Sequence, residues 1–199
     1  MQNQLTIKNE LIIKNYQNQQ RQEQNQVLEV EPITTLKNEL QFIQAFYEWA
    51  NENVFNSNLP NFVINFETIK KAYGYASANP RYTINNELYF QISIDPTRAK
   101  QEKSLENLLD TLLHEGIHLV CRVKNIKEVS NNGRSHNKKF KEIAERIGLK
   151  VIRVNDLYGY NTVGLTAELV SKIYESFMPL VKHLDLENLF SIKSNQFSR

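Results

Sequence analysis

Apolar positions along this chain fall into runs whose spacing predicts a succession of short elements. From Leu36, the residues Leu40, Ile43, Phe46, Tyr47 and Ala50 recur at steps of three and four, so they share one face of a helix that Thr34 or Thr35 is placed to cap. Asn56-Ser57-Asn58-Leu59-Pro60 then reads as a turn, and Phe62 to Phe66 has the length and composition of a strand. Ala72–Ala76 and Leu88–Ile94 are two further strands, set apart by Asn79-Pro80 and Asn85-Asn86, and together these runs predict a small antiparallel sheet. Asp95-Pro96 ends the last of them. Ser104 can cap a long helix in which Leu105, Leu108, Leu109, Leu112, Gly116, Leu119 and Val123 form a face buried against the sheet. After a strong turn at Asn131-Asn132-Gly133, Ser135-His136-Asn137 leads into a helix over 138–147 with Phe140, Ile143, Ala144 and Ile147 inward, stopped by Gly148. Residues 165–181 and 184–190 are again helical in pattern.

The first thirty residues differ from all of this. They are dominated by Gln and Asn, bury too little apolar surface to offset the entropy of ordering, and read as a flexible tail, with a weak amphipathic helix on Leu5, Ile12 and Tyr16 as the alternative. The expected organisation is therefore a segment 1–31, a folded domain 32–155, and a mostly helical extension 156–199.

Composition adds few but useful limits. A chain of 199 residues with 41% hydrophobic content can bury one core of ordinary size. A net charge of +2 is too small to imply a nucleic-acid or membrane partner by itself. Cys121 is the single cysteine, so no internal disulfide and no cysteine-based metal ribbon can form, and histidine and carboxylate remain as metal ligands. The N-terminus lacks the basic, apolar and small-residue regions of a secretory signal, and no apolar run reaches membrane-spanning length, so a cytoplasmic protein without membrane contact is expected.

The chemistry concentrates in His114-Glu115-Gly116-Ile117-His118. Histidines four apart on a helix project from one face, so both imidazoles reach a common metal ion while Glu115 leans into the same space. By chance, this pattern arises on the order of once in a hundred chains of such composition. A catalytic zinc takes three protein ligands and keeps one open position for water. His136 is one candidate for the third ligand, Glu128, Glu142 and Glu145 are others, and His183, the last of four histidines, reads as a surface or packing residue. With such a site, Zn2+ acidifies water toward a pKa of about 7, and Glu115 takes up its proton. Tyr73, Tyr75, Tyr160 and Arg134 are candidates to stabilise a developing oxyanion.

TLLHEGIHLV followed by GRSHNKKFKEIAERIGL resembles the SprT-like, or Spartan-type, zinc metalloproteases, and KKAYGYASANPRYTINNELYFQISID resembles the sheet segment those proteins place before the active-site helix. The likeness runs from about Leu36 to Leu149 and is closest to the short forms found in bacterial genomes and mobile elements. It implies an α+β, zincin-like metalloprotease domain with the small antiparallel sheet packed on the motif helix. It also implies Glu115 as the catalytic residue, and His114, His118 and specifically His136 as the zinc ligands. The substrate implied is a protein or peptide, and more particularly a DNA-associated protein. The cysteine-rich ribbon that many members carry is missing from this chain.

One local feature agrees with DNA contact. Between Arg122 and Arg153, ten basic residues face three acidic ones, a balance of +7 within a chain of +2. Such a patch can contact phosphates, although a solvated helix surface has the same composition. The competing functional class is a noncatalytic, zinc-stabilised module that binds nucleic acid or a protein partner. Glu115 separates the two, because a structural site has no need of a carboxylate between its ligands.

Overall fold

The computed structural model describes residues 36–70, 72–98, 105–133 and 135–189, all within one compact unit, Thr35–Arg199. The Gln/Asn-rich tail, the caps assigned to Thr34, Thr35 and Ser104, and Arg134 lie outside the described residues. Within them the fold is mixed α+β, as the apolar pattern predicts.

Helix α1 (Lys37–Asn53) buries Phe42, Ile43, Phe46, Tyr47, Trp49 and Ala50. Leu40, at the border of the stripe, stays exposed. Rings of Phe42, Phe46 and Trp49 close around Phe177 at centroid distances of 5.2–5.7 Å, which ties α1 to the far end of the chain. Such edge and tilted contacts add to the apolar area that each ring removes from water.

Strands β1 (Phe62–Phe66), β2 (Gly74–Ala76), β3 (Tyr82–Ile84) and β4 (Glu87–Ile94) make the first sheet. β2 and β3 pair antiparallel with β4, but β1 runs parallel to it, in register from Phe62 opposite Phe90 to Phe66 opposite Ile94. The sheet expected to be antiparallel is therefore mixed. The chain reverses between β1 and β2 and again at Asn85-Asn86, so β4 re-enters in the direction of β1. Both asparagines have positive φ, the backbone that a tight two-residue hairpin turn requires. Along β4, Phe90, Ile92 and Ile94 face the core, while the alternate residues Gln91 and Ser93 face away.

Helix α2 (Leu105–Val123) carries the motif and packs into that core through Leu108, Leu109, Leu112, Leu113, Ile117 and Leu119. Each such leucine or isoleucine stabilises the fold by roughly 1.5–3 kcal/mol over leaving it in water. The Tyr47 hydroxyl donates to the Leu112 carbonyl at 2.7 Å, joining α1 to α2.

A second sheet was not evident in the apolar pattern. It consists of β5 (Val129–Ser130), β6 (Ser135–His136), β7 (Leu149–Asn155) and β8 (Gly159–Leu165), antiparallel in the order β5-β6-β8-β7. Its longest strands carry no buried-face alternation, because Ile152, Val154 and Val163 are exposed among Lys150, Arg153 and Asn161. Helix α3 (Lys138–Arg146) lies between β6 and β7 and buries Phe140 and Ala144. Asn137 caps it, accepting from the amides of Lys139 and Phe140. The segment expected to be a mostly helical extension opens with β8 before it turns helical in α4 (Ala167–Ser176) and a 3-10 turn over Met178–Val181. No helix among the described residues is long and apolar enough to cross a membrane.

Gly116 shows how closely α2 is fitted. A Cβ there would stand 2.6 Å from Cζ of Phe55, a buried ring. Gly116→Ala is expected to destabilise the domain by about 1–3 kcal/mol through overpacking, despite the better helix propensity of alanine. Combining it with Phe55→Leu should recover part of the loss in urea denaturation, and equal midpoints for wild type and Gly116→Ala would contradict the contact.

Candidate functional site

Two elements bring the predicted histidines together. One turn of α2 separates His114 from His118, and the short strand β6 delivers His136, freed from any capping duty because Asn137 performs it. One ligand nitrogen of each imidazole lies within 4.8 Å of the others, and the Nε2 atoms of His118 and His136 are 3.3 Å apart. Beneath them lies the buried ring of Phe140, stacked on His136 at 4.0 Å between centroids.

The opposite nitrogen of every ring is occupied. His114 Nδ1 lies 3.1 Å from the Thr162 hydroxyl, which donates in turn to Asp110 at 3.2 Å. His118 Nδ1 lies 3.0 Å from the Glu128 carboxylate, which also pairs with Arg122. His136 Nδ1 donates to the Tyr160 carbonyl at 2.9 Å. With each Nδ1 satisfied by an oxygen, the Nε2 lone pairs are left to converge. Gly159 makes one of these contacts sterically feasible. Its φ is +70°, and a Cβ there would fall 2.1 Å from the His136 carbonyl oxygen, so only glycine lets β8 pass this close.

Electrostatics favours the neutral form of His114 and His136. Burial, and then the neighbouring His118 and His136, hold His114 well below the usual histidine range. His136 is pushed down to about 4, mainly by burial and then by His118, against the opposing effects of the Tyr160 carbonyl and Glu128. Burial would raise Glu128, but the hydrogen bond with His118 and the charge of Arg122 outweigh it and keep this carboxyl below its ordinary value. Neutral imidazole is the form that ligates, and three such nitrogens beside a cleft fit a divalent transition metal. Cys121 offers nothing here, being fully buried with its thiol pushed up to about 12 by burial.

Glu115 is nearly buried, and burial raises its pKa against the counter-effects of His118, the backbone amide of Ala76 and Arg122. That amide belongs to β2, an edge strand of the first sheet. The cleft above these groups has a volume of about 910 Å³. One side is lined by Gly74, Tyr75 and Ala76, the other by Asn161, Thr162 and Val163 of β8, with the motif helix between.

The other candidates are not brought together with these three histidines. Glu128 sits behind His118, and Glu142 and Glu145 lie on the solvent side of α3, where Glu145 pairs with Lys141. His183 is exposed beyond the 3-10 turn. Tyr73 and Tyr75 line the cleft, but the Tyr75 hydroxyl donates to Glu67 at 3.1 Å. Tyr160 contributes its carbonyl to His136 while its ring lies against Lys141. The residues that sequence reasoning missed are Thr162, Asp110, Gly159 and Tyr158, a cleft-lining tyrosine. No local signal marks them, because their roles depend on the hairpin returning to α2.

A family model, that of the SprT-like family, matches residues 43–159, more than half of the chain. Comparison with curated proteins and comparison with solved structures found no match.

The lowered histidine pKa values fix a pH dependence. Between about pH 6.5 and 4 the unfolded chain binds more protons than the folded one, so the contribution of His136 to stability is full above 6.5 and is lost as pH falls through this window. Urea midpoints measured with a chelator present should fall from pH 7 to 4.5, and less steeply for His136→Gln. A midpoint that rose on acidification would overturn this assignment.

Proposed function

The chain belongs to the SprT-like family, and from that membership and its site we propose that it is a zinc-dependent peptidase in which His114, His118 and His136 hold the metal and Glu115 is the general base. One observation carries the reading: three imidazoles with occupied Nδ1 atoms bring one ligand nitrogen each within 4.8 Å of the others, next to a nearly buried carboxylate at the floor of an open cleft.

Bound there, zinc supplies Lewis-acid chemistry, acidifying water and polarising a carbonyl. The remaining work falls to residues of the chain. A Glu115 carboxylate oxygen takes the proton from the attacking water and passes it to the leaving amine. Burial supports this role, because a raised pKa brings the base closer to the pH at which it must both accept and release a proton. The Ala76 amide holds that carboxylate on the cleft side of α2, so the base is aimed rather than free to rotate. Strand edges on both sides of the cleft suit an extended peptide, whose backbone can pair with them.

For the substrate we propose proteins associated with DNA. Lys124, Lys127, Lys138, Lys139, Arg146 and Lys150 are exposed around the histidine-bearing segments, and their charge fits phosphate. A noncatalytic metal module has less support, since it leaves the placement of Glu115 without a use.

Glu115→Gln is expected to lower peptide hydrolysis by about 10²–10⁴-fold while zinc content and thermal stability stay at wild-type levels. If the variant retained full activity, or if purified wild type bound no zinc, the proposal would fail. Glu128→Gln keeps the shape but loses the charge behind His118, and should weaken zinc binding about 10–100-fold in competition with a chromophoric chelator. An unchanged affinity would show that Glu128 only supports the fold.

A further inference from the structure

The β7–β8 hairpin presents an apolar surface that neither the core nor the histidine cluster uses. Ile152, Val154, Leu157, Tyr158 and Val163 are between 46% and 57% exposed, all within twelve residues of chain. Single exposed apolar residues need no explanation, whereas a group of this kind marks a place where something docks. The group is continuous with the cleft, because Tyr158 and Val163 line it. Asn161 lines it too and stands opposite Ile152 in the β7–β8 ladder, and cross-strand partners share a sheet face, so that face runs outward from the cleft across β7.

Two further observations describe the surface. The tip is held in shape, since the Asn155 side chain accepts from the amides of Leu157 at 3.0 Å and Tyr158 at 2.8 Å, and Gly159 completes the turn with positive φ. Its charges are spent locally, because Arg153 pairs with Asp156. A prearranged, apolar wall with little free charge at its tip suits aliphatic and aromatic side chains and offers little to a phosphate.

We propose that this hairpin is the side-chain recognition wall of the cleft, selecting extended polypeptides that carry apolar residues close to the scissile bond. The inference rests on the peptidase reading and adds to it the class of sequence cleaved. An extended chain alternates its side chains, so a peptide seated along the Asn161–Val163 edge of β8 directs every second residue toward the wall. β6 pairs with β8 only at Tyr160 among the described residues, which leaves that edge accessible.

The test uses the full chain carrying Glu115→Gln, so that peptides bind without turnover. Two fluorescent ten-residue peptides are compared, one with leucine and phenylalanine at alternate positions, the other with serine and glycine in their place. The apolar peptide should bind about tenfold more tightly, equivalent to about 1.4 kcal/mol. Adding Leu157→Ser and Tyr158→Ser should remove most of that advantage, with a far smaller effect on the polar peptide. Both side chains are exposed, so the substitutions leave the core intact, which circular dichroism verifies.

Equal binding of the two peptides, or an advantage insensitive to the serines, would overturn the proposal. So would a chain that dimerises through the hairpin and becomes monomeric with the serines, or an oligonucleotide that binds with the same serine sensitivity. The chain with Glu115 intact separates this from the parent reading. Hydrolysis of both peptides at equal kcat/KM sinks the wall and keeps the peptidase. Selective binding with no hydrolysis by the zinc-loaded chain sinks the peptidase and keeps the wall as a polypeptide-binding surface.

Discussion

Three imidazoles have ligand nitrogens within 4.8 Å of one another, and the site depends on how they are aimed at one another. Burial disfavours protonation of His114 and His136, while the oxygens placed behind the rings decide which nitrogen bears the proton. Each oxygen comes from a different source: a threonine hydroxyl, a glutamate carboxylate and a backbone carbonyl. Hydrophobic packing alone would bring the rings together without orienting them. The hydrogen bonds convert a cluster of histidines into three lone pairs facing one point.

Helix α2 serves the core and the site at once because its faces divide the work. Its leucines and Ile117 enter the core, with Gly116 admitting the ring of Phe55, while His114, Glu115 and His118 turn toward the cleft. Strand β8 has a similar double role. Thr162 and the Tyr160 carbonyl support two histidines, and the same strand ends in the hairpin whose exposed apolar residues flank the cleft. Anything that shifts β8 therefore shifts the supports of two rings together.

Much of this was legible in the sequence. Regular apolar spacing marks α1, α2, α3 and the strands Phe62–Phe66 and Glu87–Ile94, and the four-residue spacing marks the pair His114 and His118, because those patterns are local. The choice of His136 over the nearby glutamates came instead from the family resemblance. The parallel pairing of β1 was not legible, since strand direction depends on where the intervening chain reverses. The β7–β8 hairpin was hidden for a different reason. Its apolar residues face outward, so the usual equation of apolar with buried fails there. Glu128 was visible as a carboxylate near the motif, but only the fold places it behind His118, against Nδ1, and outside the ring of nitrogens.

The supports of the histidines also lie late in the chain. Thr162 is 48 residues beyond His114, and Tyr160 is 24 beyond His136. During synthesis from the N-terminus, all three histidines leave the ribosome before the strand that orients two of them. A nascent chain thus exposes potential ligands in unselected tautomers, and their arrangement must await a non-local pairing, the slower kind of folding event. Maturation of the site is consequently tied to completion of β8: a product truncated before that strand would possess the HExxH motif and His136, yet lack the scaffold that gives them direction.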